Sequence, residues 1–144
     1  MLNKQYQAAK AFIVKDGKVL ILRFSINNVD VYDFPGGKME TGETIDETLD
    51  REVYEETGLT VDPAEEIGTY SFFRLKDGAE VVCTLFSCIV EKGDLDITHN
   101  PSIHEKLEVR DFLWVPIKEF SVDKYCFGNC SQNLLNLIKK ASNY

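Results

Sequence analysis

Residues 34–59 read FPGGKMETGETIDETLDREVYEETGL. Thr44 and Glu47 form a capping-box pair, and Gly58 stands where a left-handed cap ends a helix, so the stretch predicts a helix over 44–57. The stretch carries eight acids: Glu40, Glu43, Asp46, Glu47, Asp50, Glu52, Glu55 and Glu56. Between Gly37 and Leu59 the only bases are Lys38 and Arg51, so the local charge is −6 of a total of −8. With Glu52 at zero and about 100° per residue, Ile45, Leu49 and Val53 form an apolar stripe at about 20°, 60° and 100°. Glu55 and Glu56 fall at about −60° and 40°, overlapping that stripe, while Asp46, Asp50 and Glu47 fall at about 120°, 160° and 220°.

Glu52, Glu55 and Glu56 therefore crowd toward the buried side in the last two turns. There the helix dipole is negative, and Glu52 and Glu56 repel as a like-charged i,i+4 pair. Two readings stand: a solvated charged face, or a carboxylate cluster that takes a compensating cation. A hard divalent ion suits the second, Mg²⁺ first and Mn²⁺ as its substitute. Mg²⁺ draws its remaining ligands from substrate phosphates, so a metal-binding cluster points to phosphate chemistry. The preceding Gly36-Gly37 is either a plain turn or a place where the backbone closely approaches a ligand.

Outward from the helix, residues 8–14 and 18–23 are short β-rich runs around Lys15-Asp16-Gly17, a hairpin signal. Val31 to Phe34 reads as a short strand stopped by Pro35-Gly36-Gly37. Residues 68–74 and 80–90 read as a further strand pair, and Val109 to Val115 as a strand ended by Pro116. Ile117 to Phe120 starts a short helix. Leu134, Leu135 and Ile138 recur at helical spacing within 131–140. This irregular alternation predicts a mixed sheet with helices on both faces.

A length of 144 residues fits one domain spanning 1–144, with 44% apolar and 28% charged residues. The net charge of −8 argues against a nucleic-acid polymer or an anionic membrane as partner. No run of 18 apolar residues and no signal-like N-terminus is present, which with four cysteines, read as free thiols, gives a cytoplasmic expectation. Cys126 and Cys130 are four apart but lack a second ligand pair for zinc.

Gly37, Glu43 and Arg51-Glu52-Val53-Tyr54-Glu55-Glu56-Thr57-Gly58-Leu59 resemble the Nudix box over residues 37–59, and the Phe34–Lys38 entry is also similar. Farther out, the resemblance lies in strand order and in Trp114-Val115-Pro116. It implies an α/β fold (α+β in some schemes), an α/β/α sandwich around a mixed sheet. It further implies a Mg²⁺-dependent hydrolase of nucleoside diphosphates linked to another group. Carried over to these positions, Glu52, Glu55 and Glu56 are metal ligands, joined by the Gly36 carbonyl. Arg51 orients a glutamate, and Glu43 acts through other side chains or metal-bound water. The family often uses a glutamate outside the box, for which Glu108 and then Glu105 are the candidates.

The implied reaction is attack of water on a pyrophosphate linkage, with Glu52 or the outside glutamate taking the proton. Substrate contacts are expected from Arg23, Lys38, Phe34 and Asn129, with Tyr70, Phe72 and Phe73 as further aromatic candidates. Arg74 stands where ADP-ribose-cleaving relatives often carry proline, and Lys76 where dinucleoside-polyphosphate hydrolases carry tyrosine. By elimination the chain is most similar to small nucleoside-triphosphate-cleaving members, which yield a monophosphate and pyrophosphate. ADP-ribose or nucleotide-sugar cleavage is the alternative, and a catalytically silent nucleotide-binding module is the alternative of another class. Dimers are common in the family, but no sequence feature marks an interface.

Overall fold

Asp16 and Gly17 both have left-handed backbones, with φ of 52° and 74°. That is the geometry a two-residue hairpin turn demands. It joins β1 (Gln5–Lys15) to β2 (Lys18–Ile26) in antiparallel register, with Lys15 opposite Lys18. The structure is a computed structural model that describes residues 4–26, 28–74, 77–96, 108–120 and 133–141.

Beyond the hairpin end, β2 pairs antiparallel with β3 (Val29–Asp33) and with β7 (Glu108–Pro116). The opposite edge of β1 pairs in parallel with β6 (Glu80–Lys92), from Gln5↔Glu80 to Ile13↔Cys88. Antiparallel to β6 runs β5 (Thr60–Phe73). A three-residue strand, β4 (Gly36–Lys38), takes the stretch of β1 that β2 has left, with Lys10 opposite Gly36 and Ala8 opposite Lys38. The resulting mixed sheet has the order β3-β2-β1-β6-β5, with β4 on β1 and β7 on β2.

Side chains alternate between the faces of β1. Ala9, Ala11 and Ile13 join the core that takes Leu49 and Val53 of α1 (Ile45–Thr57). Ala8 and Phe12 join the opposite core, with Leu134, Ile138 and Ala141 of α2 (Asn133–Ala141). Leu49 and Val53 are completely buried, and together they anchor α1 by about 3–6 kcal/mol of apolar transfer. The expected layering, one helix on each face of a mixed sheet, is thus observed.

Two elements differ from the sequence expectation. Gly36–Lys38, read as a strand stop, pairs as a strand because Gly36 lies against the Ala9 carbonyl, where no side chain fits. β5 starts at Thr60 rather than 68. Its register shifts at Thr60/Val61, Pro63/Glu65 and Glu66/Gly68, and these irregularities break the period-two pattern by which a strand is recognised. The segment after Pro116 is a 3₁₀ turn, Ile117–Glu119. Cys83 and Cys88 are buried free thiols, whereas Cys126 and Cys130 lie outside the described residues. No described helix is long and apolar enough to cross a membrane.

Candidate functional site

The N-terminus of α1 is closed from both directions. The Glu47 amide donates to Thr44 Oγ1 at 3.2 Å, and the Thr44 amide donates to Glu47 Oε1 at 2.9 Å. At the other end Gly58 has φ 77°, and its amide donates to the Tyr54 carbonyl at 2.8 Å. Between these caps the helix points its glutamates at β4. The Glu56 carboxylate is 6% exposed and accepts the Gly36 amide at 2.7 Å through Oε1. Glu52 lies against Gly37, and a Cβ on Gly37 would overlap its carboxyl group. The two glycines therefore form a cradle that brings two helix carboxylates onto bare backbone.

Arg51 ties the remaining acids together. Its Nε donates to Glu43 Oε2 at 2.6 Å and its Nη2 to Glu43 Oε1 at 3.0 Å, a bidentate grip. Nη1 donates to Glu52 Oε1 at 2.8 Å and Glu55 Oε2 at 3.3 Å, and Nη2 also reaches the Lys38 carbonyl at 3.2 Å. Glu43 is fixed further by Thr48 Oγ1 at 2.9 Å and by the Glu40 amide at 2.8 Å. Side-chain exposure falls from 34% at Glu55 to 19% at Glu52, while Glu56 is buried. Asp46, Glu47 and Asp50 are exposed, so the helical angles sorted the acids correctly.

Two environments result. Hydrogen bonding to Arg51, then to the Glu40 amide, lowers the Glu43 carboxyl pKa to about 2. Burial pushes Glu56 up to about 8, against the pull of Lys10 and the Gly36 amide. Burial also raises Glu52, while Arg51 opposes it. Two carboxylates thus stand on one wall where burial disfavours their charge, and their oxygen donors match a hard divalent cation. Among the described residues, no three His, Cys, Asp or Glu side chains already stand in ligating geometry. Arg51 Nη1 sits between Glu52 and Glu55, so an incoming ion competes with the guanidinium for both.

The NUDIX domain family model matches residues 5–130. The chain belongs to the NUDIX family. It is 30% identical over 122 residues to an ADP-ribose pyrophosphatase of Methanocaldococcus jannaschii, covering 74% of this chain and 72% of that protein. A putative 8-oxo-dGTP diphosphatase of Bacillus subtilis is 32% identical over 72 residues, half of this chain and 48% of that one. The crystal structure of a MutT protein from Methanosarcina mazei Go1 has the same fold: TM-score 0.72, 24% identity, 99% of this chain and 96% of that chain.

In this Nudix hydrolase the other expected site residues are dispersed. Phe34 is 1% exposed, set edge-on against Phe12 and stacked on Phe120, so its ring lies in the core rather than on an open surface for a base. Arg23, on β2, pairs with Asp111 at 3.3 Å and Asp30 at 3.8 Å. Lys38 is exposed, with Nζ 4.4 Å from the Tyr6 ring centre. Glu108 opens β7, and its side chain lies outside the description, as do Glu105 and Asn129 altogether. Tyr70 is buried in the core that takes α2, and Phe73 is half exposed.

Two residues, Thr48 within the box and Lys10 outside it, escaped the sequence reading. Thr48 is fully buried under Glu43. Lys10 is 6% exposed and ion-paired to Asp33 at 2.7 Å. Lys10 had a visible signal, a lone charge inside the apolar run Ala-Ala-Lys-Ala-Phe-Ile-Val. Thr48 had none, because a threonine inside a helix is commonplace.

Proposed function

We propose that this Nudix hydrolase cleaves the pyrophosphate bond of a nucleoside triphosphate or a modified one, giving the monophosphate and pyrophosphate. The observation that carries the reading is the convergence of Glu52 and Glu56 on the Gly36–Gly37 backbone, with Arg51 as the counter-charge that bridges Glu52 to Glu55. Glu52, Glu55, Glu56 and the Gly36 carbonyl would hold Mg²⁺, or Mn²⁺ in its place. Bound there, the metal would screen the phosphates and acidify an attacking water. Without that charge the acidic wall would repel a polyphosphate.

The protein's own groups have separate tasks. Arg51, clamped by Glu43, holds the backbone at Lys38 and sets the spacing of Glu52 and Glu55. The Gly36 amide fixes Glu56. Water attacks phosphorus, a new P–O bond forms, and the bond to the bridging oxygen breaks. The water proton goes to a carboxylate, Glu52 or a glutamate of the 105–108 region, and the departing pyrophosphate takes the bond electrons. No nucleic-acid polymer or membrane is needed as partner, and a cytoplasmic location and a homodimer are consistent with this chemistry.

A second reading, ADP-ribose or nucleotide-sugar cleavage, is favoured by the M. jannaschii relative's activity. A panel of nucleoside triphosphates, oxidised purine nucleotides, ADP-ribose, nucleotide sugars and dinucleoside polyphosphates, assayed with Mg²⁺ and with EDTA, separates them. The expected result is Mg²⁺-dependent cleavage with the highest kcat/KM on a triphosphate. A highest kcat/KM on ADP-ribose establishes the second reading. No cleavage of any compound establishes a silent binding module.

A further inference from the structure

Lys10 is the one charged residue in the middle of β1. It projects between Ala8 and Phe12 on the face that packs against α2. Its side chain is 7% exposed, and the only hydrogen bond it donates among the described residues is to Asp33 Oδ2 at 2.7 Å. An ammonium has three donors, so two remain without a protein acceptor there. Asp33 is itself held at its other oxygen, Oδ1, by the Phe34 amide at 2.8 Å, and its side chain is 28% exposed. The pair is thus buried at the lysine end and open at the aspartate end.

Its position links it to the carboxylate site. Lys10 is the ladder partner of Gly36, whose amide grips Glu56. The Asp33 carboxylate, 2.7 Å away, is the counter-charge of the buried ammonium. Fold stability does not explain such a pair. Replacing a buried ion pair with uncharged groups of similar volume is often neutral or stabilising, whereas breaking one by removing a single partner is costly. A buried cation with idle donors, on the strand beside the Gly-Gly strand and opposite Gly36, suits an anionic oxygen.

We propose that Lys10 is a substrate-anchoring residue: with Asp33 fixing its direction, its free N–H groups receive a phosphoryl oxygen of the nucleotide beside the Gly36–Glu56 contact. This deepens the pyrophosphohydrolase reading and rests on it. The role of Asp33 is positional. It holds the ammonium in line and does not touch the phosphate.

The test compares wild type with K10M, D33N and the double variant K10M/D33N. Readouts are melting temperature, kcat and KM for the best nucleotide of the panel, and calorimetric affinity for inorganic tripolyphosphate in Mg²⁺ buffer. K10M is expected to raise KM about tenfold or more while kcat changes by less than about threefold, a loss of binding shared by ground and transition states. Tripolyphosphate affinity falls by a similar factor. The double variant, free of a lone buried charge, melts close to wild type and keeps the whole binding defect. A double variant that folds and binds tripolyphosphate as wild type does reduces the pair to a structural role and overturns the proposal. If wild type cleaves no nucleotide, the pyrophosphohydrolase reading fails, and the tripolyphosphate arm still decides whether Lys10 meets phosphate.

Discussion

Changing Glu56 to Gln lowers Mg²⁺-dependent turnover by about a hundredfold or more, a few kcal/mol of transition-state stabilisation. The fold survives the change. Glutamine keeps the volume and a carbonyl oxygen for the Gly36 amide, which Glu56 now accepts at 2.7 Å. What it loses is the negative charge that would hold the metal. The same substitution has an opposite effect on the metal-free protein. Burial raises the folded carboxyl from 4.5 to about 8, so the folded state holds this proton more tightly than the unfolded chain. The stability from this group is complete below its unfolded pKa and is lost as pH rises through about 8. Glutamine does not ionise. In EDTA at alkaline pH, E56Q is therefore expected to melt several degrees above wild type, with the gap closing as pH falls toward about 5. Differential scanning calorimetry across that range measures it. An E56Q protein that turns over at the wild-type rate, or that melts below wild type throughout, contradicts the assignment.

Gly36→Ala is expected to have the largest effect on folding. A Cβ there would overlap the Ala9 carbonyl oxygen and lie 2.8 Å from Lys10 Cα, and the backbone φ of 141° disfavours any side chain. Both obstacles are backbone, which cannot rotate aside as a side-chain end can. A loss of at least about 3 kcal/mol is expected, read by urea unfolding. Gly42→Ala is the control. Its φ of 90° is also unfavourable, but nothing lies within 4 Å, so only about 1 kcal/mol is expected. Equal costs at the two positions would mean that β4 yields, and that the Gly36 amide is not rigidly presented to Glu56.

Much of the site is legible in residues 34–59 because local rules act there without competition. Thr44, Glu47 and Gly58 form the caps their types predict, and the helical angles place Glu52 and Glu56 toward the protein and Asp46 and Asp50 in solvent. The family resemblance implies that Arg51 orients one glutamate; in the structure its guanidinium contacts three, Glu43, Glu52 and Glu55. The features that stayed hidden depend on residues far apart in sequence. Gly36–Lys38 looks like a turn until β1 is placed beside it. β5 hides its first half behind register shifts around Pro63. Phe34 resembles a base-stacking ring in a site loop, but Phe12 and Phe120 close over it. The Lys10–Asp33 pair spans two strands that no spacing rule connects.

In the proposed mechanism the α1 carboxylates would hold a divalent ion, which in turn would hold a diphosphate. Anomalous diffraction from crystals soaked in Mn²⁺ tests it most directly. A manganese peak bounded by Glu52, Glu55 and Glu56 is expected, with Arg51 released from at least one of the two glutamates, Glu52 and Glu55, to which its Nη1 now donates, and still gripping Glu43. Saturating Mn²⁺ with no peak there, and Arg51 still bridging Glu52 and Glu55, would contradict it.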